Sequence, residues 1–330
     1  MGDESVAKAF WTLNPGRPAI LDERLPEPGS DEVRIRTAFS GVSRGTEALV
    51  FRGLVPERLY DTMRAPFQAG AFPGPVKYGY MSVGTVEAGQ ADLVGRAVFC
   101  LHPHQDRYVV PAVAAVPVPE SVPLRRAVLA ANLETAINGL WDAAPLVGDR
   151  IAVVGCGVVG GMAALLAARV PGVEIELIDP SPHRKALADV IGLPLVAEAG
   201  ARTGLDLVIH ASGTSEGLAT ALRLAGDEAT ILEMSWYGAN PVAVPLGEWF
   251  HARRLRLVSS QVGKVAPAKR PRWTHRQRLE LALRLLADPV FDAFLTGESR
   301  FADLPETMAQ LAAGRGDALC HVIRYEDPDV

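Results

Sequence analysis

Cysteine is scarce. Three occur in 330 residues, Cys100, Cys156 and Cys320, too few for a disulfide framework or a four-cysteine structural zinc site. A reducing cytoplasm is the expected setting. A basic excess is missing too: 33 Lys and Arg against 38 Asp and Glu leave a formal net charge of -5, so the broad cationic surface required by nucleic acid or an anionic membrane is not expected. Long hydrophobic runs are absent. Stretches such as 162–168 fall far short of the roughly 20 residues that span a bilayer, and residues 1–10 are charged where a signal peptide needs an apolar core. What remains, 48% hydrophobic and 22% charged, is a globular composition with core enough for two domains.

Over residues 31–39, Val33, Ile35, Thr37 and Phe39 alternate with polar positions that include Arg34 and Arg36, the period of a half-buried strand. Between 40 and 120, glycine and proline recur around short β-rich runs at 82–87, 96–101 and 108–110, which predicts an irregular, largely antiparallel β domain. The texture changes after Pro123. Residues 124–143 have helical spacing, and from Arg150 strand and helix patterns alternate at 151–154, 159–169, 174–178 and 183–191, with further strands at 205–210, 229–233 and 256–260. Alternation of this kind predicts parallel strands with crossover helices. A stretch rich in proline and arginine at 264–278, a helix at 276–287 and a strand at 318–325 follow.

The strand 151–154 runs into Gly155, Cys156, Gly157, Val158, Val159 and Gly160, and Asp179 ends the next strand 19 positions after Gly160. Strand, G-x-G-x-x-G, helix and a spaced acid form a dinucleotide fingerprint. Gly155 permits the tight turn, Gly157 the close approach of a pyrophosphate, and Gly160 the packing of helix on strand, while the amides of Val158 and Val159 open the helix. Asp179 would accept the adenosine ribose hydroxyls and repel a 2'-phosphate, which favours NAD(H). Arg184 could instead meet that phosphate, so NADP(H) stays open. The alternative is a glycine-rich turn without nucleotide.

With these residues in place, the chain resembles the medium-chain dehydrogenase/reductase superfamily at 28–47, 79–89, 95–119 and 155–179, and at Ala211, Ser212 and Gly213. The resemblance implies an α/β protein with a GroES-like β-rich catalytic domain, 1–133 and 261–330, and a Rossmann domain with a doubly wound parallel sheet, 134–260, assembled as a homodimer. Zinc-dependent members hold the metal with a cysteine in the early loop, a histidine in a Gly-His-Glu segment and a later cysteine or acid. Here Ser43 stands in that loop, Tyr80 and Met81 follow Gly79, and 131–134 lacks cysteine. Serine, tyrosine and methionine are poor zinc ligands, so no zinc is expected. The run Ser43, Arg44, Gly45, Thr46, Glu47 is similar to the bacteriochlorophyllide dehydrogenase subgroup.

Without a metal, hydrogen-bond donors must stabilise the alkoxide. The resemblance places Tyr80 at a lost ligand position beside the nicotinamide, as the first candidate for proton transfer; a space-filling role is the alternative. A phenol with a reference pKa of about 10 needs a nearby cation to act as a base at neutral pH. Lys77 is close in sequence but points to the opposite face of an extended segment. Thr46 resembles the family's proton-relay hydroxyl, and Thr135 a residue packed near the nicotinamide. His102 and His104 are the runner-up proton donors; with Cys100 they also raise a metal cluster, which Pro103 and the missing fourth ligand oppose. Ser43, Lys77, Trp236, Tyr237, Arg272 and Trp273 are the candidate substrate contacts, the last two for an anionic or aromatic ring. Aromatic packing is the equal alternative for Trp236 and Tyr237. The leading function is zinc-independent, NAD(H)-dependent hydride transfer between a secondary alcohol and a ketone, in a biosynthetic role. A quinone or enone reductase and a non-catalytic NAD-binding regulatory subunit are the alternatives.

Overall fold

The computed structural model describes residues 6–326. Two compact units emerge, one made of Met1–Ala131 with Leu283–Val330, the other of Asn132–Ala282.

In the first unit the strand Glu32–Val42 buries Val33, Ile35 and Thr37 and turns Arg34 and Arg36 toward Glu87, at 3.8 and 3.1 Å. Full burial of each apolar side chain contributes about 1.5–3 kcal/mol. The expected alternation then breaks. A register shift between Thr37 and Phe39 inserts one residue against the neighbouring strand, so Ser40 is buried and Phe39 only half-buried. Antiparallel partners of this strand are Ser82–Gly89, Arg107–Pro111 and Cys320–Arg324, and the last also lies parallel to Leu295–Arg300. The end of the chain thus completes the sheet that its beginning starts. Two elements interrupt the expected β texture. One is the hairpin Val6–Asn14 with Arg17–Arg24, turning at Gly16 with φ +74°; the other is the helix Arg44–Phe51, which follows the bulged strand.

Six parallel strands form the second unit, in the order Leu195–Val196, Glu174–Ile178, Arg150–Val154, Leu205–His210, Ala225–Glu233, Arg256–Ser259. Read in chain order this is 3-2-1-4-5-6, the doubly wound arrangement whose switch point lies between Arg150–Val154 and Leu205–His210. The central strands read as continuous apolar runs because helices cover both faces. This unit runs on to Ala282, where a boundary at 260 was expected. The reason is packing on the helix Ala130–Ala143: Arg278 is 1% exposed and its guanidinium donates to Glu134, Asn138 and the Val262 carbonyl. Asn138 in turn accepts from the Ala266 amide at 3.1 Å, and Trp273 packs on Trp141 with ring centres 5.0 Å apart.

Candidate functional site

In the second unit, the strand Arg150–Val154 delivers Gly155 at φ +100°, where a Cβ would lie 2.5 Å from the Ser212 nitrogen. Only glycine fits. A Cβ on Gly160 would lie 2.0 Å from the Gly155 carbonyl oxygen, so the helix Val158–Ala167 is seated by this second glycine. Gly157, the N-cap, differs: nothing lies within 4 Å of its Cβ direction, and no side chain caps the helix. The first amides of the helix, including those of Val158 and Val159, have no intrahelical acceptor, which makes the open side of Gly157 a cradle for an anion. A dinucleotide pyrophosphate fits these residues.

Asp179 is clamped against this loop. Its Oδ2 accepts the Cys156 amide at 2.8 Å and its Oδ1 the Ser181 amide at 2.9 Å. Burial and the Asp179 charge push the Cys156 thiol up to about 12, which makes it a packing residue and not a nucleophile. Arg184 is buried in the first turn of the helix Arg184–Ile191. Thr135 is half-buried on the helix Ala130–Ala143, and Ala211 donates its amide to the Val154 carbonyl at 2.8 Å across the switch point.

At the carboxyl ends of the next two strands, a cluster appears that the sequence reading missed. His210 is fully buried, with Nδ1 2.7 Å from Glu233 Oε2 and Nε2 2.6 Å from Ser212 Oγ. The Tyr237 hydroxyl donates to Glu233 Oε2 at 2.9 Å, and the Ser235 amide to Oε1 at 2.7 Å. Tyr237 is therefore tied to the sheet edge, and Trp236 beside it is half-buried. Arg272 and Trp273 do not form a joint subsite: Arg272 is exposed and donates to the Ala268 carbonyl at 3.4 Å. Trp273 instead shares a cavity of about 480 Å³ with Lys264, Arg270 and His275.

In the first unit, Tyr80 lies beside the hydroxyls of Ser43 and Thr46, with Glu47 close by. Glu47 is 3% exposed; its Oε1 accepts the Ser43 amide at 2.8 Å, and its Oε2 lies 2.9 Å from His104 Nε2. His104 Nδ1 is 2.7 Å from Ser40 Oγ, which is 3.0 Å from the Tyr325 hydroxyl. The bulge before Phe39 supplies that serine. Gly79 also serves the cluster: a Cβ there would lie 3.1 Å from His104 Cδ2. Four sequence candidates, Ser43, Thr46, Tyr80 and His104, thus meet around Glu47. Burial, then the Glu47 charge, push the Tyr80 phenol up to about 12 against its two hydroxyl partners.

His102 and Lys77 are placed elsewhere. The His102 ring stacks on Tyr108 with centres 3.6 Å apart, and burial pushes it down to about 3, so it stays neutral. Lys77 is buried against Glu23 at 2.6 Å and Gln105 at 2.7 Å. Cys100, His102 and His104 do not converge, and no group of three His, Cys, Asp or Glu able to hold a metal occurs among the described residues. Zinc fits poorly at the family's ligand positions. Ser43 offers only a hydroxyl at the start of the helix Arg44–Phe51, Met81 is core, and the nearest later acid, Glu134, is bound to Arg278 at 2.9 Å.

A GroES-like β unit together with a Rossmann unit is the architecture of the medium-chain dehydrogenases, and the chain has that fold. No family model matches it. It is 26% identical over 315 residues to D-guloside 3-dehydrogenase of Escherichia coli (strain K12), covering 85% of this chain and 89% of that protein. Among solved structures, a zinc-binding-type dehydrogenase from Sinorhizobium meliloti 1021 bound to NADP superposes with a TM-score of 0.77 at 16% identity, covering 97% of this chain and all of that one (100%). An alcohol dehydrogenase from E. coli CFT073 complexed with NADH gives 0.75 at 18%, covering 97% and 99%.

Proposed function

We propose that this protein is a nicotinamide-dependent oxidoreductase that interconverts a secondary alcohol and a ketone on a hydroxyl-rich, sugar-like substrate without zinc, with NAD(H) as the preferred cofactor. The observation that carries the reading is the Tyr80 phenol held between the hydroxyls of Ser43 and Thr46 beside a buried carboxylate, in a chain whose other unit has an open dinucleotide loop. The sugar-like substrate is suggested by the D-guloside relative. The preference for NAD(H) rests on Asp179, whose clamped carboxylate would repel a 2'-phosphate.

Gly155, Gly157, Val158, Val159, Gly160 and Asp179 would hold the dinucleotide, which when bound supplies or accepts the hydride. Tyr80 does the proton work. Burial and the neighbouring carboxylate keep its phenol protonated at neutral pH, so it acts as an acid. It donates a hydrogen bond to the carbonyl oxygen and gives up its proton as negative charge builds there. Thr46 and Ser43, beside the phenol and partly exposed, would donate hydrogen bonds to the phenolate left behind and relay a proton to it from solvent. In the oxidation direction the same phenol must first lose its proton, and Lys77, the basic residue close to it in sequence, is bound to Glu23 and Gln105 instead.

The test is NADH-driven reduction of keto-sugars and simple ketones, with quinones and enones alongside and zinc measured by elemental analysis. Ketone turnover that persists in chelator is expected, and Tyr80→Phe should lower kcat by about 10²–10⁴. Stoichiometric zinc whose removal abolishes turnover would overturn the metal-free reading. Faster turnover of enones, or NADH binding with no turnover on any of these compounds, would overturn the alcohol chemistry.

A further inference from the structure

The two halves of the parallel sheet repeat one design. In the first, the strand Arg150–Val154 enters a turn and a helix, and the next strand, Glu174–Ile178, ends at Asp179, whose carboxylate reaches back to the Cys156 amide of that turn. In the second, Leu205–His210 enters the turn at Ser212 and the helix Ser215–Leu224, and the next strand ends at Glu233. Glu233 also reaches back to its turn, through the buried ring of His210 to Ser212 Oγ. Each half therefore has an acid at the carboxyl end of its second strand, bound to the turn at the switch point, where doubly wound sheets take the two nucleosides of a dinucleotide.

The hydrogen bonds give this second acid a direction. Burial alone would raise the Glu233 carboxyl, but its bond to His210 and the Ser235 amide bring it below its ordinary value, so it is an acceptor. His210 Nδ1 must then donate to it, and in the neutral ring Nε2 accepts the Ser212 O–H. Ser212 Oγ also accepts from the Thr214 amide at 3.3 Å and from the Thr214 hydroxyl at 3.0 Å, which fills both its lone pairs and locks the turn. The Tyr237 O–H is likewise spent on Glu233. The Tyr237 hydroxyl therefore presents only an oxygen lone pair outward, and the residue is half-buried, not sealed. Such a hydroxyl receives a group that donates a hydrogen bond, as a ribose hydroxyl does, and repels phosphate.

We infer that His210 and Glu233 are positioning residues for the second nucleoside of the dinucleotide, the nicotinamide riboside, fixing Tyr237 as an acceptor for a ribose hydroxyl. The inference rests on the dinucleotide reading above, and the experiment separates the two. The full-length protein is titrated with NADH and with ADP, which lacks the second nucleoside. Tyr237→Phe and Glu233→Gln are each expected to weaken NADH about tenfold, the value of one good hydrogen bond, while ADP affinity stays within about twofold. Asp179→Ser, on the first half, should weaken both ligands. Unchanged NADH affinity, or parallel loss of NADH and ADP, overturns the positioning role; parallel loss is what a merely structural network gives. Tyr237→Phe removes one oxygen from a half-buried site and keeps the test decisive if Glu233→Gln does not fold. A wild-type protein that binds neither ligand overturns the dinucleotide reading, and this inference with it.

Discussion

Arg278 offers the sharpest test of how the second unit is built. Its side chain is 1% exposed, and its guanidinium serves Glu134, itself 4% exposed, together with Asn138 and the Val262 carbonyl. Arg278→Met keeps most of the volume but leaves the Glu134 carboxylate buried without its cation. Removing one partner of a buried pair costs about 3–5 kcal/mol, enough to unfold a domain of marginal stability. A variant that also carries Glu134→Leu removes the orphaned charge and should recover most of the loss. The pH dependence has a sign. Burial raises the Glu134 carboxyl, and the Arg278 charge and hydrogen bond oppose that rise. Without the arginine, the folded state binds this proton more tightly than the unfolded chain does. The single variant should therefore lose stability as pH rises and regain some toward pH 5. Urea unfolding at pH 5 and pH 8 for wild type, single and double variants measures each value. A single variant that costs under about 1 kcal/mol, or a double variant no better than the single, would refute the argument.

Further expectations concern the two candidate sites. With the Tyr80 phenol pushed up to about 12, ketone reduction should be flat in pH from 6 to 10, while kcat/KM for alcohol oxidation climbs about tenfold per pH unit until the phenol titrates; a pH-independent oxidation limb would remove Tyr80 from the proton step. Asp179→Ser should raise the ratio of NADPH to NADH affinity at least about tenfold by removing a charge that opposes the 2'-phosphate; an unchanged ratio in competition titrations would refute the clamp's role in selectivity. Gly160→Ala should abolish NADH binding and lower thermal stability, because its Cβ would stand 2.0 Å from the Gly155 carbonyl oxygen; wild-type NADH affinity in this variant would show that the loop tolerates a different seat for its helix.

The sequence was most legible where one short pattern dictates one local geometry. The fingerprint from Gly155 to Asp179 could be read because Gly155 and Gly160 each answer a close approach, while Gly157 leaves the loop open. The alternation from Val33 to Thr37 marks its strand, yet the pattern stops being informative at the bulge. One inserted residue exchanges inward and outward faces, so Ser40 could not be recognised as the partner of His104, which lies 64 residues away. The same limit hid Glu47 and Tyr325, whose roles exist only once the end of the chain has paired with the strand Glu32–Val42. It also explains why two histidines separated by one residue diverge. The strand Ala97–Cys100 ends before either histidine, and in the loop that follows His102 stacks on Tyr108 while His104 turns to Glu47. His210 and Glu233 had a signal that went unused. Each is a polar residue ending an apolar strand of a parallel sheet, where burial is continuous and a charge needs a partner. Because such strands place their carboxyl ends along one edge, an unexplained polar terminus on each of two adjacent strands predicts a pair, and the pair predicts a ligand at that edge.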